Sequence, residues 1–527
     1  MTTKELILTD YSDKIIIEKK NSEFKTTILK NKPESNSKEQ TLLMYGIYGA
    51  LTLSKSSYLI CVTDADSVGV YNGELVYEIK KVSLVKYKTV AEENKSKKLW
   101  DYIFEEKNDA YEIGLIYKFF KMRGNYFSES NIYENNFSGG KNGFIFNYNL
   151  LNNLKKITDD YEHISLKCIF GSFVFRSMNG INFSLLSRRS RHRNGARFFN
   201  RGTDLNGYVS NFVETIQTVE FEGKQNYFVQ VRGSIPLKWK HKVALKYNPD
   251  YVIEEASNSF KNSERKLKKN YGNVFYLNLT KNEGCEEKVY KEFDKQLQEN
   301  KCEYLHYNIA RELSIKKSET FPDLEGRLKK VIDEYGFFTE DDKQRGVIRT
   351  NCIDSTDRTN VSQYIIGRCQ IRQQLKNINQ SYNEEVDKLL KNLWDYNGDT
   401  LSLQYTGTLT SLGKLIFSEK NNLLGNIRDG YVSVLRYFSC RFLHGSLHNS
   451  FLLITGKKNF FEAKPKDIIR KNFGLFLLVF VFVTLFKFVL KKFKDVNEMV
   501  VSSSISAIFL SYLLYTADLY FDIPDYD

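Results

Sequence analysis

Arg349-Thr350-Asn351-Cys352-Ile353-Asp354-Ser355-Thr356-Asp357-Arg358-Thr359-Asn360 is the stretch on which the reading of this chain turns. An apolar, strand-like run at 346–352 leads into it, and a helix-compatible run from 359 to about 375 leaves it. Cys352 then closes a strand, and the residues after it form a loop that opens a helix. That order suits phosphate chemistry. Amide N–H groups at a helix start point at an anion, and the helix dipole favours negative charge there. The same field favours a thiolate, as does a neighbouring arginine. Arg358, six residues on, can fold back and grip two phosphate oxygens with its planar fork. Thr359 can donate to the sulfur. The loop residues Ile353, Ser355, Thr356, Asp357 and Thr359 are the candidate cradle, and Cys352 the candidate nucleophile. A leaving alkoxide needs a proton, which Asp354 or Asp357 could supply. Asp354 is preferred, because Asp357 fits a helix-capping or loop-bracing carboxylate better.

The spacing alone is a weak signal. Cysteines stand at 61, 168, 285, 302, 352, 369 and 440. Only Cys352 combines an arginine six residues on, a hydroxyl residue next, a strand before and a helix after. The plain alternative is a buried, inert thiol. No CxxC occurs and the spacing is wide, so neither a disulfide framework nor a zinc ribbon is expected, and the set fits a reducing compartment. His444 and His448 lie four apart without a third ligand type nearby, so neither metal nor cofactor is expected.

A chain of 527 residues exceeds one hydrophobic core, so two or more domains are expected. The formal charge of +13 suits an anionic partner, whether nucleic acid, an anionic membrane face or a phosphorylated substrate, with a solvated basic surface as the alternative. The first twenty residues carry no apolar signal-peptide core. Strand-like runs at 43–48, 58–62, 68–71 and 75–79, with Asn72-Gly73 between the last two, predict an antiparallel N-terminal subdomain. Helix-compatible segments lie at 90–106, 287–316, 324–335 and 384–393, and a strand at 227–231. Residues 473–490 are apolar apart from Lys487, 499–517 are uncharged, and a basic stretch, 457–471, precedes them. These predict a transmembrane helical hairpin, with buried core helices as the alternative.

The signature resembles that of the Sac-domain phosphoinositide phosphatases, R-[TV]-N-C-x-D-C-L-D-R-T-N, with Ser355-Thr356 in place of the usual Cys-Leu pair. Other blocks agree. Ser187-Arg188-Arg189 through Arg197 resembles S-R-R-x-x-x-R-x-G-x-R, and Arg201-Gly202-Thr203-Asp204 resembles R-G-x-D. Asn211-Phe212-Val213-Glu214-Thr215, Arg232-Gly233-Ser234-Ile235-Pro236 and Gln404-Tyr405-Thr406-Gly407-Thr408 also have counterparts. The likeness spans roughly 42–455.

The resemblance implies an α/β (α+β) fold: an antiparallel-sheet N-terminal subdomain over 1–145 and a mixed-sheet catalytic domain over 146–455. A basic linker (456–472), two transmembrane helices (473–517) and an acidic tail (518–527) complete the expected order. It implies hydrolysis of inositol-ring phosphomonoesters, chiefly phosphatidylinositol 4-phosphate, through a phosphocysteine at Cys352. Arg188, Arg197, Asn211 and Glu214 are candidate substrate or supporting residues. Phosphoinositide lipids are the expected partners, and nucleic acid is not. The hairpin resembles the branch anchored in the endoplasmic reticulum and Golgi, which would make the chain a multi-pass protein with a cytosolic catalytic domain. The rival reading is a weak or inactive Sac domain that binds phosphoinositides or tethers membranes.

Overall fold

The computed structural model describes residues 4–31, 39–89, 99–134, 137, 143–241, 250–254, 258–316, 319–410, 423–442 and 444–457. Asn72 and Gly73 both take positive φ, 51° and 80°, the backbone that a two-residue hairpin turn requires. They join two 16-residue strands, Ser56–Tyr71 and Glu74–Thr89. This hairpin lies near one edge of an eleven-strand sheet. The order across it is Glu303–His306, Asn273–Asn278, Gly346–Asn351, Lys224–Arg232, Val213–Phe221, Ile181–Arg189, Cys168–Met178, Asn125–Ser128, Glu74–Thr89, Ser56–Tyr71 and Gly46–Thr52. The first four strands pair parallel and the rest antiparallel. A separate four-strand antiparallel sheet, Lys25–Leu29, Lys14–Lys19, Leu6–Asp10 and Gln40–Met44, covers the N-terminal end. The mixed α/β class with antiparallel and mixed sheets is thus observed.

Gly346–Asn351 is central to the parallel part and ends at Cys352. In open α/β sheets, ligands settle outside the carboxyl ends of the strands. Helix Asp357–Asn377 starts there and returns along one sheet face. It buries Val361, Tyr364, Ile365, Ile371 and Leu375 against Leu185, Phe228 and Ile348, each full burial of a large aliphatic residue contributing about 1.5–3 kcal/mol. Sheet amides fix its register. Gln217 donates to Gly367 O at 3.0 Å, Gln230 to Gln363 O at 3.0 Å and Asn226 to Gln374 O at 3.1 Å. Such buried polar groups specify one docking geometry because any slip leaves them unpaired.

The opposite face carries a buried ion pair, Arg188 with Glu214, each 1% exposed. Arg188 also donates to Ile132 O at 2.7 Å, and the Tyr271 hydroxyl to Glu214 Oε2 at 2.6 Å. Glu214→Ala strands the arginine in the core. A loss of about 3–5 kcal/mol of stability is expected, read as a lowered urea midpoint. A fall of under about 0.5 kcal/mol, the size of an ordinary surface substitution, would contradict it.

Two expectations are corrected. The helix expected over 287–316 is helix Glu287–Glu299, strand Glu303–His306 and helix Ile309–Lys316. The transmembrane hairpin at 473–517, with its linker beyond 457 and its tail, lies outside the described residues. Among the described residues no helix is long and apolar enough to cross a membrane. Against the expected integral anchor and multi-pass placement in endoplasmic reticulum or Golgi, the described residues supply no spanning helix. The physical reason is one-sidedness. Helix Glu384–Thr406 is 23 residues long but carries Glu384, Glu385, Asp387, Lys388 and Lys391, burying Leu390, Leu393 and Trp394 on one stripe.

Candidate active site

Cys352 directly follows the strand Gly346–Asn351, and its residue is 1% exposed. The sulfur adjoins an apolar cluster but is not wrapped only in apolar atoms. Its Sγ accepts from the Ser355 N–H at 3.1 Å and from the Thr359 hydroxyl at 3.3 Å. Ser355 achieves this with φ of 48°, a left-handed conformation that costs about 1–2 kcal/mol for a side chain. Three contacts hold it. The Ser355 hydroxyl donates to Gly233 O at 2.5 Å, and the Asn211 amide donates to Asp354 O at 3.2 Å and Ser355 O at 3.4 Å. The serine that departs from the usual family cysteine therefore ties the loop to the Arg232-Gly233-Ser234 segment. Ile353 turns into the core on the other side of the sheet. Thr356 immediately precedes the helix, with no side-chain cap bond.

Arg358 faces two partners. Its fork grips the Glu286 carboxylate, Nη1 to Oε2 at 3.0 Å and Nη2 to Oε1 at 2.7 Å, and Nη1 also donates to Leu279 O at 3.1 Å. Burial opposes the charge, but Cys352 and then Glu286 outweigh it and hold the guanidinium above its ordinary value. The sulfur and Arg358 thus act on each other. Glu286 is missing from the sequence candidates. It sits 72 residues before Arg358, in an acidic stretch opening helix Glu287–Glu299, and no spacing rule links the two. Glu286→Gln removes the charge that aims Arg358. A fall of roughly tenfold in kcat/KM is expected, about 1.4 kcal/mol, from steady-state phosphate release. Unchanged kcat/KM would show that Glu286 only fills space.

Asp354 lies between Arg197 and Arg201, its Oδ2 bonded to Arg197 Nη2 and its Oδ1 at 2.5 Å from Arg201 Nη2. Burial pushes its carboxyl up, yet the two arginines prevail and hold it well below the usual carboxylate range. At rest it is an anion. Asp357 accepts from Arg436 Nη1 at 2.6 Å, joining helix Asp357–Asn377 to helix Leu423–Phe442. Of the other candidates, Asn211 and Arg197 meet the loop, whereas Arg188 and Glu214 meet each other on the far face of the sheet. His444 is buried with Nε2 2.9 Å from Thr406 O, and burial pushes it down to about 3. His448 stacks on Phe199 and is likewise pushed down to about 3.

A strand-ending thiol thus stands beneath a helix start among buried arginines, the class of arrangement that suits an anion. Comparison with known proteins agrees with that class. The model of the SacI homology domain matches residues 45–314. Phosphoinositide phosphatase SAC6 of Arabidopsis thaliana is 31% identical over 460 residues, covering 81% of this chain and 77% of that protein. Phosphatidylinositol-3-phosphatase SAC1-B of Danio rerio is 27% identical over 498 residues, 86% of this chain and 84% of that one. The Drosophila melanogaster phosphatidylinositol-3-phosphatase SAC1 is 28% identical over 448 residues, 78% and 74% of the two chains. The chain belongs to the SacI homology domain family.

Proposed function

We propose that this chain is a phosphoinositide phosphatase that removes inositol-ring phosphates through a phosphocysteine at Cys352. The observation that carries the reading is the double donation to the sulfur, from Ser355 N–H and the Thr359 hydroxyl, in the field of Arg358. In the first step the thiolate attacks phosphorus and the bond to the inositol oxygen breaks. Loop N–H groups and the fork of Arg358 stabilise the charge gathering on the equatorial oxygens.

Asp354 gains its role from the substrate. The arriving phosphate dianion competes for Arg197 and Arg201, which with Arg358 overcome the effect of burial on that carboxyl. Released from them, Asp354 takes up a proton and hands it to the leaving alkoxide. In the second step water breaks the S–P bond, Asp354 accepts its proton, and inorganic phosphate leaves with the thiolate restored. The proposed main substrate is phosphatidylinositol 4-phosphate. The 3-phosphate is the chief competitor, since the Danio and Drosophila relatives are named for it.

One feature favours a second reading, a lipid-binding module without turnover: Arg358 is already occupied by Glu286. A panel of short-chain phosphoinositide monophosphates and bisphosphates, assayed for released phosphate under reducing conditions, separates the two. Turnover of the monophosphates is expected. Binding without release across the whole panel would establish the module instead.

A further inference from the structure

Buried arginines line both faces of the central sheet, and on the far face Arg349, 0% exposed, donates to Ser234 O at 2.9 Å while its Nε and Nη1 have no hydrogen-bond partner among the described residues. On the face away from helix Asp357–Asn377, Arg188 has Glu214. On the helix face a row in register runs Arg189, Val213, Arg232, Thr350 across four strands. Cys352 lies two residues beyond Thr350 and so on the same face. Arg189 and Arg232 are each 1% exposed. Arg189 has neutral acceptors, Asn211 Oδ1 at 3.1 Å and Gln404 Oε1 at 3.5 Å. Arg232 has less: among the described residues its Nε and Nη1 have no hydrogen-bond partner.

A buried guanidinium without full hydrogen bonding is costly, and a nearby anion lowers that cost. Burial, and after it the like charge of Arg189, push Arg232 down to about 9, while Cys352 and Asp357 pull the other way. Asp357 is bonded to Arg436 at 2.6 Å. That leaves Cys352 as the second acidic group acting on Arg232.

We propose that Arg232 is a positioning residue for the nucleophile: a buried cation, without a carboxylate partner among the described residues, that keeps the Cys352 sulfur anionic. The coupling is mutual, since a thiolate that stabilises the guanidinium is stabilised by it equally. The charged groups surrounding the pair are known. Arg189 comes from the sheet. Arg358 and Asp357 come from the helix, backed by Glu286 and Arg436. Asp354 comes from the loop, backed by Arg197 and Arg201. Of these, Arg232 alone lacks an opposite charge or acceptor at two of its nitrogens and shares the face of Cys352.

The inference rests on the reading of Cys352 as nucleophile, and the test keeps the two apart. In the full chain, the pH dependence of Cys352 alkylation by iodoacetamide is followed by peptide mass spectrometry. Wild type, Arg232→Gln and Arg232→Lys are compared, beside kcat and KM for a short-chain phosphoinositide. In the glutamine variant the alkylation midpoint is expected to rise by about one unit or more, a tenfold thinner thiolate population at fixed pH. kcat should fall in step, recover towards alkaline pH, and leave KM in place. The lysine variant, charged but without the fork, should return the midpoint to the wild-type position. A glutamine variant that folds and titrates like wild type overturns the proposal. If the glutamine variant melts below the assay temperature, the lysine variant decides alone. A wild-type midpoint there supports a role of charge, and a raised midpoint in a folded lysine variant overturns it. Turnover surviving in Cys352→Ser would instead sink the nucleophile reading, with the alkylation midpoints still deciding whether Arg232 and Cys352 are coupled.

Discussion

Cys352→Ser is expected to lower phosphate release from short-chain phosphoinositides by about four orders of magnitude or more, the scale seen when a covalent nucleophile is removed. The substitution changes one atom. A serine hydroxyl fits the same space, and the Ser355 N–H and Thr359 hydroxyl that now point at sulfur still find an acceptor. The difference is ionisation: a hydroxyl at neutral pH stays protonated, and neither the helix start nor Arg358 can make it a competent anion. Because the residue is 1% exposed and its neighbours keep their bonds, the fold should melt near the wild-type temperature. Lipid binding should survive, since Arg358, Arg197 and Arg201 are untouched. A serine variant that keeps even a tenth of the wild-type rate would remove sulfur from the mechanism.

Arg358→Lys is the second large effect, with kcat expected to fall about 10²–10³-fold, the range for loss of one well-placed donor to transition-state charge. Lysine keeps the charge but loses the fork that now holds both oxygens of Glu286 at 2.7 and 3.0 Å. In the proposed mechanism the same guanidinium also donates to oxygens of the transferring phosphoryl group. If Glu286 serves only to aim Arg358, then Glu286→Gln should cost little more in the lysine background, and the two losses should fail to add. Full additivity would mean that Glu286 acts by another route.

The strand, loop and helix around Cys352 were legible because each has a local signature: an apolar run, a cysteine, a hydroxyl after the arginine. The hairpin at Asn72-Gly73 was legible for the same reason, since positive φ at both turn positions is a local demand. What escaped is long-range. Glu286 meets Arg358 across 72 residues of chain. The strands Cys168–Met178, Ile181–Arg189 and Val213–Phe221 are buried on both faces over most of their length, so the polar–apolar alternation that marks a half-exposed strand is absent. The arginine-rich segment shows the limit most sharply. Arg188 and Arg189 are neighbours in sequence, yet alternation sends one to Glu214 on the far face and the other to the face of Cys352. Composition reads both as one basic cluster. Asp354 carries the right chemistry in sequence, but only the converging Arg197 and Arg201 reveal that it rests as an anion.

The most direct test of the account is to catch the phosphoryl group on the enzyme. The full chain is mixed with phosphatidylinositol 4-phosphate, quenched within one turnover, and its peptides are weighed. The phosphoryl adduct is expected on the Cys352 peptide, absent from Cys352→Ser and lost with time as phosphate appears. An adduct on any other residue, or steady turnover by the serine variant, would contradict it.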